Sequence, residues 1–179
     1  VSGIKPKLRV AVLYGGRSGE HEVSLQSAAS VVKNLDRDRY EVVPIGIDKQ
    51  GRWLLNDLAQ MQINSSTKSL TVQTKDAARL PSLATNKDAQ NFFDVVFPVM
   101  HGTLSEDGTI QGLLELMDVP YVGAGVLGSA IGMDKDVAKR LVSAVGIPVA
   151  HYLCIKHGAW QVDPHYYIKA ITENLEYPL

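Results

Sequence analysis

The stretch Leu8–Leu25, with the sequence LRVAVLYGGRSGEHEVSL, decides the fold class of this chain. It begins with a short apolar run, Leu8–Tyr14, that ends at Gly15-Gly16, a pattern typical of a buried strand. After the glycines, apolar residues recur at helical spacing and predict a helix from about Val23 to Leu35. A strand, a glycine loop and a helix in this order open a strand–helix–strand unit.

The same alternation continues along the chain and predicts an α/β fold with an open parallel sheet. The other predicted strands are Tyr40–Ile47, Arg52–Leu55 (as a hairpin), Phe92–Met100, Val119–Val122, Tyr152–Ile155 and Leu175–Leu179. The other predicted helices are Thr109–Met117, Asp134–Val145 and Pro164–Asn174. Gly146 follows the second of these as its C′ residue.

The amino-acid composition changes twice along the chain. Residues 56–91 are rich in Ser, Thr, Asn, Gln and Lys, and are predicted to form a surface insertion with one edge strand near Leu70 and Val72. Residues 1–123, including this insertion, are expected to form an amino-terminal α/β domain. Residues 124–179 are expected to begin a second domain.

Charge, cysteine content and hydropathy exclude several classes of protein. The chain of 179 residues has 18 Lys+Arg and 19 Asp+Glu, without a block of like charge, which argues against a nucleic-acid surface. The single cysteine, Cys154, excludes a disulfide within the chain and a CxxC metal site. The longest uncharged stretches contain Gly or Pro and fall short of the roughly 20 apolar residues of a membrane span. We expect a cytoplasmic protein without nucleic-acid or membrane partners.

Open parallel sheets bind ligands beyond the carboxyl ends of their strands, and the loop Gly15–Ser24 lies at one such end. Its glycines let the backbone approach a ligand, and the helix after it begins with free N–H groups. The order G-G-x-x-G differs from the dinucleotide fingerprint, and Asp48 lies further along the chain than the usual ~20 residues. A plain strand-to-helix turn is the alternative interpretation.

The loop His101–Gly112, HGTLSEDGTIQG, follows another predicted strand and holds a histidine, two acids and three glycines. An isolated histidine is more often a structural residue than a functional one. His101 with Glu106 and Asp107 also suggests a metal site, but no second His or Cys lies at ligand spacing, which disfavours zinc.

Three motifs in register resemble the D-alanine–D-alanine ligase family: GGRSGEHEVSL from residue 15, HGTLSEDGTIQG from residue 101 and YVGAGVLGSAIGMDK from residue 121. Their order and spacing match from about Arg9 to the end of the chain. Ser105 stands where the family usually has glycine, and the insertion 56–91 matches only the longer members.

The resemblance implies an ATP-grasp fold of three domains. Residues 1–123 would form the Rossmann-like amino-terminal domain and residues 124–179 would begin the central α+β domain. The implied reaction joins two D-alanines through an acyl phosphate, for peptidoglycan precursors. ATP and Mg²⁺ are implied, with the metal ligands after Leu179, so this part alone is expected to be inactive. The family is usually homodimeric.

The resemblance also assigns the site residues. Glu20 matches the acid that holds the ammonium of the first D-alanine, and His101 and Glu106 match residues of the same polar network. Val23 and Ser24 are expected to shape this pocket where the loop meets its helix.

Lys135 matches a lysine that reaches phosphate oxygens in the family's nucleotide site, and an ammonium is a good point-charge partner for phosphate. On the sequence alone, a solvated helix lysine is the simpler interpretation. Other functions also stay open: a ligase that joins D-alanine to D-lactate or D-serine, a non-catalytic α/β binding or regulatory module, and, last, a nicotinamide-dependent enzyme.

Overall fold

The computed structural model describes residues 6–55, 78–79 and 92–176. The strands are β1 (Leu8–Gly15), β2 (Tyr40–Ile47), β3 (Trp53–Leu55), β4 (Ala78–Arg79) and β5 (Val95–Pro98). The helices are α1 (His21–Asn34), α2 (Thr109–Leu116), α3 (Val126–Met133), α4 (Lys135–Ala144), α5 (His157–Val162) and α6 (Pro164–Asn174). The chain divides into two compact units, Val1–Met133 and Asp134–Leu179. The domain boundary after residue 123 stays a prediction.

The first unit is built on a five-stranded sheet in the order β4-β3-β2-β1-β5. Strand β1 pairs in parallel with both β2 and β5, so the parallel α/β sheet predicted from the sequence is confirmed. Strands β3 and β4 are antiparallel and extend one edge, which makes the sheet mixed. Strand β3 confirms the predicted hairpin at Arg52–Leu55. Strand β4 lies in the predicted insertion, whereas the strand expected near Leu70 and Val72 lies outside the described residues.

Strand β1 is buried on both faces, which explains its uninterrupted apolar sequence. On one face Ala11 and Leu13 belong to a core cluster with Leu114 of α2. On the other face Val12 and Tyr14 belong to a cluster with residues of α1. A helix on each side therefore holds the sheet, and the loops that leave β1 and β5 emerge at its carboxyl edge.

Helix α1 starts two residues earlier than predicted and has a different buried face. Val23, the first apolar residue of the predicted helix, is 50% exposed. His21 and Ser24 are buried instead. The cause is a polar anchor: the ring Nδ1–H of His21 donates to the carbonyl oxygen of Gly16 at 2.7 Å. Apolar periodicity does not detect a polar residue that is buried through a hydrogen bond.

Beyond α2, the structure corrects several predictions. The strand predicted at Val119–Val122 is reduced to a single parallel bridge between Tyr121 and Val96. Helix α3 was missed because its sequence, VLGSAIGM, has no polar face. The strand predicted at Tyr152–Ile155 is wrong: these residues form no regular structure. A strand exists only through pairing, and no described strand pairs with this segment. The predicted strand Leu175–Leu179 lies mostly outside the described residues.

The second unit consists of α4, α5 and α6, of which α5 was not predicted. The Asp134 carboxylate caps α4 by accepting hydrogen bonds from the N–H groups of Asp136 and Val137. Two residues after the helix, Gly146 has φ 82°, and the N–H of Ile147 donates to the carbonyl of Val142. This is a Schellman motif, and it confirms Gly146 as the C′ residue. None of the described helices is long and apolar enough to cross a membrane.

Candidate functional site

Two loops meet at the carboxyl edge of the sheet, because the strands they leave are neighbours. The glycine loop, Gly15–Glu20, connects β1 to α1. The histidine loop, Val99–Gly108, connects β5 to α2. Such an edge is where open α/β sheets bind ligands.

Glu20, His101 and Glu106 meet between these loops and form what we call the acid–histidine cluster. One oxygen or nitrogen atom from each lies within 4.8 Å of the other two. His101 Nδ1 lies 3.7 Å from Glu106 Oε1. Both glutamates are exposed and the histidine is half-buried, so a small ligand can reach all three. The structure thus brings Glu20 next to His101 and Glu106, which lie more than 80 positions later in the sequence.

Ser18 fixes the distance between the two loops. Its hydroxyl donates to the carbonyl oxygen of His101 at 2.6 Å and accepts from the backbone N–H of Glu20 at 3.2 Å. The backbones of two cluster residues are therefore held by one side chain.

Glu106 is oriented by its own loop. Its Oε2 accepts a hydrogen bond from the backbone N–H of Gly102 at 2.7 Å, while Oε1 faces His101. Gly102 has φ 75°, a conformation that favours glycine, and an added Cβ would lie 3.4 Å from Glu20 Oε1. The histidine loop therefore needs glycine at this position to bring its backbone close to Glu20.

Ser24 joins the starts of the two loops through its hydroxyl. It is fully buried, accepts a hydrogen bond from the N–H of Gly15 at 2.8 Å and donates to the carbonyl of Val99 at 2.6 Å. Its hydroxyl is thus engaged with the first residues of both loops, which is a structural role. Val23, which precedes Ser24 in α1, is exposed. The contact of these two residues with a substrate, expected from the resemblance, stays a prediction.

Asp107 is not part of the cluster. Its carboxylate accepts hydrogen bonds from the N–H groups of Leu104 and Thr109, at 2.8 and 3.0 Å. Partial burial opposes ionisation of this carboxyl group, but those hydrogen bonds outweigh it and lower the pKa of Asp107. Among the described residues, the acids grouped with His101 are Glu20 and Glu106, and Asp107, which the sequence also offered for a metal site, is not one of them.

Asp48 likewise has a structural role at the end of β2. It accepts hydrogen bonds from the backbone of Gln50 and from the backbone and side chain of Arg52. Burial opposes ionisation of Asp48, but these donors prevail and lower its pKa. Its carboxylate closes the β2–β3 turn, which argues further against a ribose-binding role.

Lys135 is the first residue of α4 and belongs to the second unit. The N-cap Asp134 precedes it, so its backbone position is set by a capped helix end. The structure thus groups three of the predicted site residues in the first unit and places the predicted nucleotide lysine in the second.

Two polar residues near the cluster escaped the sequence analysis: Ser18, described above, and Ser27, whose Oγ lies 2.9 Å from His101 Nε2. A signal for Ser27 existed in the sequence. It lies seven residues after Glu20, which is two helical turns, so both residues share one face of α1.

The chemistry of the cluster favours a cationic ligand. Two carboxylates and one imidazole offer acceptor atoms around a small accessible space, and both carboxylates lie beside the single ring. An ammonium group has three donors and can satisfy several of these acceptors at once.

Known proteins resemble this chain over most of its length. Residues 9–124 match the family model described as D-ala D-ala ligase N-terminus. D-alanine–D-alanine ligase A from Bradyrhizobium diazoefficiens is 50% identical over 97% of this chain and 49% of its own length. The D-alanine–D-alanine ligase from Caldicellulosiruptor bescii is 44% identical over the same shares. The chain spans about half the length of these curated relatives.

Solved structures agree with this result. The VanG D-Ala:D-Ser ligase from Enterococcus faecalis is 34% identical with a TM-score of 0.71, over 97% of this chain and 51% of that one. The D-alanine–D-alanine ligase from Coxiella burnetii is 36% identical with a TM-score of 0.68, over 93% and 50%. Because the family model covers more than half of the sequence, from β1 to beyond α2, this chain belongs to the D-alanine–D-alanine ligase family and carries its amino-terminal region.

Proposed function

We propose that the protein containing this chain ligates two D-alanines to D-alanyl-D-alanine with ATP, through an acyl phosphate, for peptidoglycan precursors. Within it, the acid–histidine cluster holds the first D-alanine. The observation that carries the proposal is the meeting of Glu20, His101 and Glu106 within 4.8 Å at the carboxyl edge of the sheet, in a chain whose relatives are D-alanine–D-alanine ligases.

In this proposal Glu20 pairs with the substrate ammonium. A hydrogen bond between an ammonium and a carboxylate is charge-assisted and therefore stronger than one between neutral groups, and the half-buried His101 lies close to both carboxylates. Glu106 is held by the Gly102 N–H and adds a second negative charge. The cluster therefore binds and orients the amino end of the substrate.

ATP and Mg²⁺ belong to the same proposal. When bound, the metal would neutralise the charge that develops on the transferred phosphoryl group. Lys135 is the residue of this chain that the family resemblance assigns to the phosphates, and its ammonium is a suitable point charge for a phosphate oxygen.

Lys135→Ala in the full-length protein should raise the KM for ATP more than the KM for D-alanine. Lys169→Ala is the matched control, since Lys169 is an exposed helix lysine that pairs with Glu173. Steady-state kinetics with each substrate varied separately measures both effects. A change confined to D-alanine would show that Lys135 is assigned to the wrong substrate.

The decisive experiment for the function is an activity assay on the full-length protein. It should release phosphate with ATP, Mg²⁺ and D-alanine, and D-alanyl-D-alanine should be detected by mass spectrometry. D-serine and D-lactate are offered in parallel, because the structural similarity to a D-Ala:D-Ser ligase supports that activity as the second candidate. Binding of D-alanine without any ligation would favour a non-catalytic module.

The proposal extends to the setting of the enzyme. A ligase for cell-wall precursors that consumes ATP is expected in the cytoplasm. A homodimer is expected from the family resemblance, and light scattering on the full-length protein tests this directly.

A further inference from the structure

The His101 ring has a polar neighbour at each of its nitrogens, and the two neighbours come from different elements. Nε2 lies 2.9 Å from Ser27 Oγ on α1, and Nδ1 lies 3.7 Å from Glu106 Oε1 on the histidine loop. Both His101 and Ser27 are half-buried, so their hydrogen bond is partly shielded from water.

These two neighbours select one neutral tautomer of the ring. An ionised carboxylate only accepts hydrogen bonds. It therefore favours a proton on Nδ1 and disfavours the lone pair there. With the proton on Nδ1, the lone pair lies on Nε2 and needs a donor, which the Ser27 hydroxyl supplies. The hydrogen bond at one ring nitrogen thereby determines the chemistry of the other.

We propose that Ser27 is a positioning residue of the acid–histidine cluster: its hydroxyl donates to Nε2 and keeps the Nδ1–H of His101 directed at Glu106. Ser27 acts through His101 and makes no contact with the substrate in this proposal. The kinetic part of the inference rests on the proposed function, because it concerns the binding of D-alanine.

Helix α1 gives this arrangement a rigid frame. Glu20 is the N-cap of α1, and Ser27 lies two turns later on the same helix. Since Ser24 ties α1 to the starts of both loops, one helix positions the carboxylate of Glu20 and the ring of His101 together. A substrate held between them meets two groups whose relative position does not depend on a flexible connection.

The direct test reads the tautomer of His101 by NMR in the full-length protein with ¹⁵N-labelled histidine side chains, assigned with His101→Gln. Protonated and unprotonated imidazole nitrogens have very different ¹⁵N chemical shifts. In the ligand-free protein at a pH where the ring is neutral, we expect the proton on Nδ1. Ser27→Ala should shift the population toward Nε2–H, and Ser27→Thr, which keeps the hydroxyl, should restore it. An unchanged tautomer in Ser27→Ala overturns the proposal.

Kinetics then measures the consequence. Ser27→Ala should raise the KM for D-alanine roughly 2- to 12-fold, the range for loss of one neutral hydrogen bond, and leave the KM for ATP unchanged. Ser30→Ala, on the exposed face of the same helix, should change neither. If Ser27→Ala shifts the tautomer but the wild-type protein has no ligase activity, the role of Ser27 is supported and the ligase function is overturned. If the wild-type protein is an active ligase but Ser27→Ala does not shift the tautomer, the ligase function is supported and the role of Ser27 is overturned.

Discussion

At the scale of single residues, Glu20 is the side chain on which the proposed substrate site depends. Glu20→Gln in the full-length protein should raise the KM for D-alanine roughly 10- to 150-fold, because a charge-assisted contact to the ammonium is lost. Stability should change little, since Glu20 is exposed. Steady-state kinetics with D-alanine as the varied substrate measures the effect.

Glu22→Gln is the matched control for this change. Glu22 is an exposed acid two positions further on, and its carboxylate pairs with Lys49 at 3.0 Å. It should keep wild-type kinetics. Equal KM values for Glu20→Gln and Glu22→Gln would remove Glu20 from the substrate site.

Ser24 is the residue whose loss should be felt in stability. Ser24→Ala leaves the N–H of Gly15 and the carbonyl of Val99 without their buried partner. We expect the free energy of unfolding to fall by about 1–3 kcal/mol. Urea unfolding measures the change in stability, and hydrogen exchange at the N–H of Gly15 reports the loss of its partner. The exposed Ser30→Ala is the comparison. Equal stability of the two variants would show that water replaces the hydroxyl.

At the scale of elements, the two loops depend on glycine at the points where their backbones approach each other. Gly102→Ala forces a side chain into φ 75° and brings its Cβ within 3.2 Å of Ser18 Cβ. The left-handed conformation alone costs about 1–2 kcal/mol. Thermal unfolding should detect this loss, and the KM for D-alanine should rise because Glu20 is displaced.

Gly19→Ala provides the control from the neighbouring loop. A Cβ on Gly19 meets no heavy atom within 4 Å, and its φ is not among the positive ones. This variant should stay within about 0.5 kcal/mol of the wild type. If Gly102→Ala behaved like Gly19→Ala, the close approach of the two loops would not matter for binding.

At the scale of the whole molecule, an ion pair joins the start of β1 to the residue just before β5, which is one of its two parallel partners. Arg9 of β1 donates to Asp94, just before β5, from its side chain and its backbone N–H, both at 2.7 Å. These hydrogen bonds outweigh the burial of the carboxyl group and lower the pKa of Asp94. Asp48 and Asp107, which close two turns, also have lowered pKa values.

This pattern predicts a loss of stability in acid. A carboxyl group whose pKa is lower in the folded state stabilises the fold above its unfolded pKa, about 3.9 for aspartate. That stabilisation disappears as the pH falls through the folded pKa. Asp94→Asn should therefore be less stable than wild type by about 0.2–1 kcal/mol near pH 7, and the difference should narrow below about pH 4.

Urea unfolding midpoints between pH 7 and pH 3 test this expectation on the full-length protein. Asp38→Asn, which removes an exposed carboxylate between α1 and β2, should show no such narrowing relative to wild type. A difference between wild type and Asp94→Asn that stays constant down to pH 3 would contradict the role given to the Arg9–Asp94 pair.

The sequence by itself determined the elements whose pattern is local. Strand β2 and helix α6 have the predicted bounds, β1 is one residue longer than predicted, and α4 is one residue shorter at each end. Each has an apolar run or face together with a clear boundary signal, such as Gly15, Gly146 or the Asp163-Pro164 start of α6. The motifs likewise brought Glu20, His101 and Glu106 forward as one group before any geometry was known.

Only the tertiary structure decided which polar groups meet. It excluded Asp107, which the histidine loop also offered beside His101 and Glu106, because the carboxylate of Asp107 is engaged by backbone N–H groups of its own turn. It buried Ser24, added Ser18 and Ser27, and removed the predicted strand at Tyr152–Ile155. The physical reason is that side-chain hydrogen bonds leave no periodic trace in the sequence, whether they join Ser18, Ser24 and Ser27 to residues 74 to 83 positions away or close the turn of Asp107. The pairing of a strand with its neighbour is likewise a property of the folded arrangement.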